Sequence, residues 1–131
     1  MAPQAARTRC ARHVTNLFVY GTLAPGGDAW RRLERWVVGD ARHDAAPGIL
    51  YDTGRGYPGA TFAPSTPGRV HGVVVVLAEP DAEALAALDR YEGSEYERVR
   101  IRTDGGVDAF TYAWIAPLDR LHLVADGRWT V

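Results

Sequence analysis

The stretch from Asp40 to Val76 constrains this 131-residue chain more than any other, because it lacks helical periodicity and is punctuated throughout by Gly and Pro. Its apolar pieces are strand-sized: Gly48-Ile49-Leu50-Tyr51, Ala60-Thr61-Phe62, and the longer run from Val70 to Leu77. A chain with such a middle must build its core on a sheet. Upstream, Leu17-Phe18-Val19-Tyr20 is a further strand, closed by Gly21 and entering the loop Thr22-Leu23-Ala24-Pro25-Gly26-Gly27. Downstream, Tyr96 to Arg102 and Val107 to Ile115 flank Asp104-Gly105-Gly106, the composition of a hairpin.

Two segments carry helical spacing. Asp28 is placed to cap a helix running to about Val38, with Leu33, Trp36 and Val37 on one face, Arg31, Arg32 and Arg35 on the other, and Gly39 as its stop. Glu79-Pro80-Asp81 opens a second helix, rich in Ala and Leu, that ends near Gly93, a residue suited to the C-cap. Helices and strands mix without a regular βαβ repeat, and no internal repeat or linker divides the chain. The expected architecture is α+β: one domain with a mixed, barrel-like sheet and flanking helices. Residues 1–16 read as a flexible lead-in and residues 17–131 as the single domain.

The charge balance, net −1 from 15 basic and 16 acidic residues, provides no field for a polyanion, so nucleic acid is not an expected partner. Cys10 is the only cysteine, which precludes an intramolecular disulfide and favours a reducing, cytoplasmic setting. No segment approaches membrane-spanning length, and no membrane partner is expected. His13, His43, His71 and His122 are scattered singly, with neither metal-ligand spacing nor a cysteine cluster, and the Gly26-Gly27 pair matches no nucleotide fingerprint. No metal and no cofactor are expected. Ser65 and Ser94 lack a nucleophile-elbow context, so covalent catalysis has no candidate.

One residue conflicts with its surroundings. Glu92 follows Leu88 by four residues and Leu85 by seven, so it drifts only ~20° from Leu85 and shares the apolar face of the second helix. It also sits at the helix C-terminus, where the macrodipole disfavours an anion by roughly 0.3 to 1 kcal/mol. Burial and negative potential both raise a carboxyl pKa toward the range where a general base works best. The alternative is structural: Glu92 pairs with Arg98 or Arg100, or turns outward as the helix frays. The Tyr20-Gly21-Thr22-Leu23 loop is a second candidate, since Gly21 permits unusual backbone angles and consecutive N–H groups can converge on a carboxylate or carbonyl oxygen. Tyr57, beside Pro58-Gly59, and Tyr96 are candidates to line a pocket, against core packing as the default for tyrosine.

Taken in order, Phe18-Val19-Tyr20-Gly21-Thr22-Leu23, Gly56-Tyr57-Pro58-Gly59-Ala60 and Leu88-Asp89-Arg90-Tyr91-Glu92-Gly93, followed by Tyr96 and Arg98, resemble the γ-glutamylcyclotransferase superfamily. The resemblance covers about residues 17 to 116 and is nearest to the AIG2-like, γ-glutamylamine cyclotransferase branch, where a Tyr-Gly-Thr-Leu loop is typical. It implies a mixed β-barrel with flanking helices, Glu92 as catalytic acid/base, and substrate binding by Tyr20, Gly21, Thr22 and Leu23, with Tyr57 and Tyr96 as further pocket residues. Many relatives carry Ala or another small residue after the proline, where this chain has Gly59.

The implied reaction is cofactor-free: the α-amine of a small γ-glutamyl substrate attacks its own γ-amide, releasing 5-oxoproline and a free amine. Two alternatives accompany it. One is a deprotecting cyclotransferase acting on a γ-glutamylated biosynthetic intermediate; the other is a non-catalytic small-molecule-binding module of the same fold. Glutathione-specific relatives carry a differently arranged loop, so glutathione itself is not the expected substrate. The leaving amine and the oligomeric state carry no signature.

Overall fold

The computed structural model describes residues 15–78 and 80–130, so Cys10, His13 and all but the last two positions of the expected lead-in lie outside the described residues. Thr15 and Asn16 already belong to the first strand. The elements are β1 (Thr15–Val19), α1 (Arg31–Glu34), β2 (Val37–Asp52), β3 (Pro58–Phe62), β4 (Arg69–Leu77), α2 (Ala82–Glu92), a 3-10 turn over Gly93–Glu95, β5 (Tyr96–Arg102), β6 (Asp108–Trp114) and β7 (His122–Leu123). The sheet runs in the order β3-β2-β4-β1-β6-β5, with β7 added to β2. Its pairs are antiparallel except β1 with β6, which run parallel, so the sheet is mixed.

The two ends of this order approach each other. The Tyr96 hydroxyl on β5 donates to the Pro58 carbonyl on β3, and Gly59 on β3 lies so close under Trp114 of β6 that an added Cβ would come within 2.7 Å of the indole. The sheet is therefore a nearly closed barrel, and Gly59 is a closure residue whose missing side chain leaves room for Trp114.

Alternation along β1 sorts the core into two layers. Leu17 and Val19 face outward and pack with Leu33 of α1 and with Ala84, Leu85 and Leu88 of α2. Phe18 and Tyr20 face inward with Leu50, Ala60, Val70 and Val74, filling the barrel. The helices thus lie on one outer face of the barrel, and β1 carries both layers.

The first helix is shorter than its periodicity predicts. Asp28 to Trp30 form turns, α1 holds only Arg31–Glu34, and Val37 and Val38 pair in the sheet with Leu77 and Val76. The apolar spacing of Leu33, Trp36 and Val37 suits either state, and β-branched pairing against β4 wins over helix propagation. Gly39, at φ 73°, does not stop a helix; it turns a bulge in β2 where the register with β4 shifts between Val38 and Arg42. The second helix follows its predicted course, with Gly93 as C-cap at φ 77°. Asp81 does not cap α2 with its side chain, but accepts a hydrogen bond from the Thr15 hydroxyl of β1. The hairpin pairs Tyr96 with Trp114 and Arg102 with Asp108, as expected from its Asp-Gly-Gly turn.

Candidate active site

A cavity of about 570 Å³ opens where β1 ends, bounded by the Tyr20 to Leu23 loop, the C-terminal end of α2 and the loop before β3. Glu92, Tyr20, Gly21, Thr22, Leu23, Tyr57 and Tyr96 all line it, so residues spread over most of the chain meet in one concavity. The meeting follows from topology. The β1 strand delivers its terminal loop to the barrel rim, α2 packs over β1 through Leu85 and Leu88, and the same helical face carries Glu92 to the rim one turn later.

Burial pushes the Glu92 carboxyl up from an ordinary 4.5 to about 7. Among the described residues it enters no ion pair. Neither arginine considered as its partner takes that role. Arg98 lies 3.3 Å from Asp89 and stacks over Phe110, while Arg100 covers the same ring. Glu95, three residues on, contrasts with Glu92: it is held by Arg55 at 2.8 Å.

Besides Tyr91, four tyrosines line the cavity with Glu92. Burial, with the Glu92 carboxylate as one added cause, raises the phenol pKa values of Tyr20, Tyr96 and Tyr112; Tyr57 is raised in the same direction. All four are therefore neutral at pH 7 and none competes as the base. Their hydroxyls are occupied elsewhere. Tyr20 donates to the Tyr112 carbonyl at 2.6 Å and accepts from the Ala60 N–H, Tyr112 donates to Asp89 at 2.6 Å, Tyr96 donates to Pro58, and Tyr57 reaches Glu95 at 3.4 Å. Tyrosine contributes apolar surface around Glu92, which desolvates the carboxylate without hydrogen-bonding its charged form. Tyr20 contributes its ring to the cavity while its hydroxyl ties β1 to β3 and β6.

The loop after β1 supplies donors. The N–H groups of Gly21, Thr22 and Leu23 find no acceptor among the described residues, whereas the Gly21 and Thr22 carbonyls accept from Ala24 and Ala29 and fix the loop. Gly21 is required for a different reason than backbone freedom, since its φ is not positive. An added Cβ would stand 2.8 Å from Pro58, so this glycine lets the loop pack against the start of β3.

The cavity also holds residues that the sequence left unmarked. Arg55, Glu95, Asp28, Arg32, Tyr91 and Tyr112 line it as well. Tyr112 was accessible through the hairpin register, which sets it opposite Arg98, and Arg55 directly precedes the Gly56-Tyr57-Pro58-Gly59 segment. Arg32 and Asp28 carry no such signal, because the predicted helix placed the arginine in solvent. No group of three or more metal-ligating side chains is arranged to hold an ion among the described residues.

The nearly closed mixed barrel is a fold shared with solved structures, and the sequence matches a family model. The model for γ-glutamyl cyclotransferase, AIG2-like proteins matches residues 17–131, and the chain belongs to that family. Its fold is similar to that of an AIG2-like protein from Mus musculus, at 21% identity over 90% of this chain and 89% of the other, with a TM-score of 0.65. The ytfP protein of Escherichia coli is 33% identical over 88% of this chain and 96% of its own, with a TM-score of 0.56. A uropathogenic E. coli-specific protein shares the fold at 19% identity and a TM-score of 0.73, over 89% and 93% of the two chains. No curated protein matches in sequence.

Proposed function

We propose that the protein is a γ-glutamyl cyclotransferase that converts a small γ-glutamyl amine or peptide to 5-oxoproline and a free amine. The observation that carries this reading is Glu92, raised to about 7 and without an ion pair among the described residues, inside a cavity edged by the Gly21, Thr22 and Leu23 amides, which find no acceptor among those residues. Family membership supports the reaction class, and the side chains support the steps.

The substrate α-ammonium gives a proton to Glu92, and the freed amine attacks the γ-carbonyl carbon. The new C–N bond closes a five-membered lactam while the original γ-amide C–N bond breaks. Glu92 returns that proton to the departing nitrogen and then takes the second proton of the attacking nitrogen, which keeps one hydrogen as the lactam N–H; the second proton leaves on the released amine, which departs as its ammonium. No water, metal or redox partner enters the balance. A carboxyl with a pKa near 7 suits both directions of transfer, because neither protonation state is costly at neutral pH. The Gly21 to Leu23 amides hold the substrate carboxylate or the developing oxyanion. Binding in a bent conformation contributes too, since effective molarity accounts for roughly 7 to 11 kcal/mol in well-oriented intramolecular reactions. The chemistry fits a catabolic cytoplasmic enzyme as well as a biosynthetic deprotecting one, which differ only in the amine released.

The test is 5-oxoproline release from a panel of γ-glutamyl amines, peptides and aminoglycoside-like conjugates. Glu92→Gln should remain folded, bind substrate and lose at least about 100-fold in turnover, the scale of general acid/base catalysis. Undiminished release by that variant rejects Glu92 as the base. No release from any panel member by the wild-type protein favours the binding-module alternative.

A further inference from the structure

The proposed reaction leaves the departing amine unspecified, and the charges of the cavity bear on it. The cavity contains two arginines. The Arg55 guanidinium is already engaged by Glu95 at 2.8 Å and lies over the Tyr57 ring. Arg32 has no ion-pair partner among the described residues. Its guanidinium sits 4.4 Å from the centroid of the Tyr91 ring, one residue before Glu92 on α2. This cation–π contact restrains the guanidinium beside the end of α2, and no hydrogen bond among the described residues occupies its N–H groups, which leaves them for a carboxylate. Asp28 lines the same cavity with the opposite sign, but no stacking or ion pair fixes it among the described residues.

Resting on the cyclotransferase reading, we propose that Arg32 is a specificity-determining residue that binds a carboxylate on the leaving half of the substrate. The glutamyl half is committed to Glu92 and to the amides at the end of β1. Arg32 is the exposed arginine of the same cavity that no ion pair engages among the described residues, and as the partner of the leaving half it favours conjugates whose released amine carries a nearby carboxylate over those whose released amine is neutral or cationic.

The test compares two probes that differ only in that carboxylate, γ-glutamyl-alanine and γ-glutamyl-ethylamine. The wild-type protein should favour the alanine conjugate about tenfold in kcat/KM, mainly through KM, the size of one charge-assisted contact. Arg32→Gln should bring that ratio close to one, and Arg32→Glu should reverse it in favour of a γ-glutamyl-ethylenediamine conjugate. A purely structural arginine would not invert a charge preference. A wild-type ratio of one or less, or an equal loss on both probes in Arg32→Gln, overturns the proposal. So does failure of both probes while other γ-glutamyl amines are turned over. Failure of the entire panel removes the cyclotransferase reading along with it.

Discussion

Two cavities meet at the end of β1 and share Val19, Tyr20 and Gly21, yet they treat acidic side chains in opposite ways. The second cavity is larger, about 810 Å³ against 570 Å³, and holds Asp44 and Asp104 beside His43, His71 and Arg128. Its carboxylates are spent on structure. Asp44 accepts from the N–H groups of Ala45 at 2.8 Å and Gly105 at 3.0 Å, and Asp104 is paired with Arg69 at 2.8 Å. Burial alone would push the Asp44 carboxyl up, but the Thr103 hydroxyl, those two N–H groups and nearby Arg42 hold it below its ordinary 3.8. Glu92 has burial without compensation, and rises. Size therefore does not mark the candidate site; the carboxylate left without ion-pair partners among the described residues does.

The comparison breaks most visibly in the pH dependence of turnover. A base must be ionised to accept a proton, so kcat/KM should fall toward tenfold per pH unit below a folded pKa of about 7, or ~50-fold between pH 7 and 5. Initial rates of 5-oxoproline release across that range locate the limb. A limb near 4 would mean that Glu92 is solvated and paired in solution, and the contrast with Asp44 would vanish.

A smaller effect concerns stability and has a definite sign. The folded pKa of Glu92 lies above its ordinary 4.5, so the folded state holds a proton that the unfolded chain releases first. Stability contributed by this group is complete below about 4.5 and is lost as pH rises through about 7. Glu92→Gln removes the ionisation, and at pH 8 the variant should be more stable than wild type by about 2 kcal/mol, after discounting for the part of the carboxylate that water reaches. Urea unfolding at pH 5 and pH 8 measures it: the advantage should be small at the lower pH and several times larger at the higher. A variant that gains nothing at pH 8 would show that Glu92 costs the fold nothing.

Much of this contrast was legible before any coordinates. The helical phase of Leu85, Leu88 and Glu92 already set a carboxylate on an apolar face, and α2 kept that phase because its Ala and Leu content and its Gly93 cap agree with one another. The hairpin of β5 and β6 was equally legible, its turn chemistry and alternation pointing the same way. The α1 region was not, because Trp36 and Val37 satisfy two periodicities and only pairing with β4 decides between them. Arg32 is exposed on α1 as its position predicted; what the sequence could not show is that this exposed side borders the cavity, along with Asp28. The absence of a partner for Glu92 was out of reach for another reason. Arg98 lies within range in sequence, and only tertiary packing commits it to Asp89. Gly21 and Gly59 were legible as special positions, yet their cause, contact with Pro58 and Trp114, depends on barrel closure.

The smallest expected effect tests the other side of the comparison. Asp44 joins the middle of β2 to the turn between β5 and β6 through Gly105, so removing its carboxylate frees two backbone donors near the surface. Because water reaches this site, Asp44→Ala should cost about 1 kcal/mol rather than the larger penalty of a buried orphan. The group is held below its ordinary 3.8, so its contribution is present above that pH and fades as pH falls through the lower folded value. Chemical denaturation at pH 7 should therefore separate variant from wild type by that amount, and the gap should close in strong acid. The 5-oxoproline rate should stay within about twofold of wild type, the variation expected of a change that touches neither substrate nor Glu92. A tenfold loss of turnover in Asp44→Ala, with the fold intact, would mean that the larger cavity participates in the reaction and that paired carboxylates do not mark a purely structural region here.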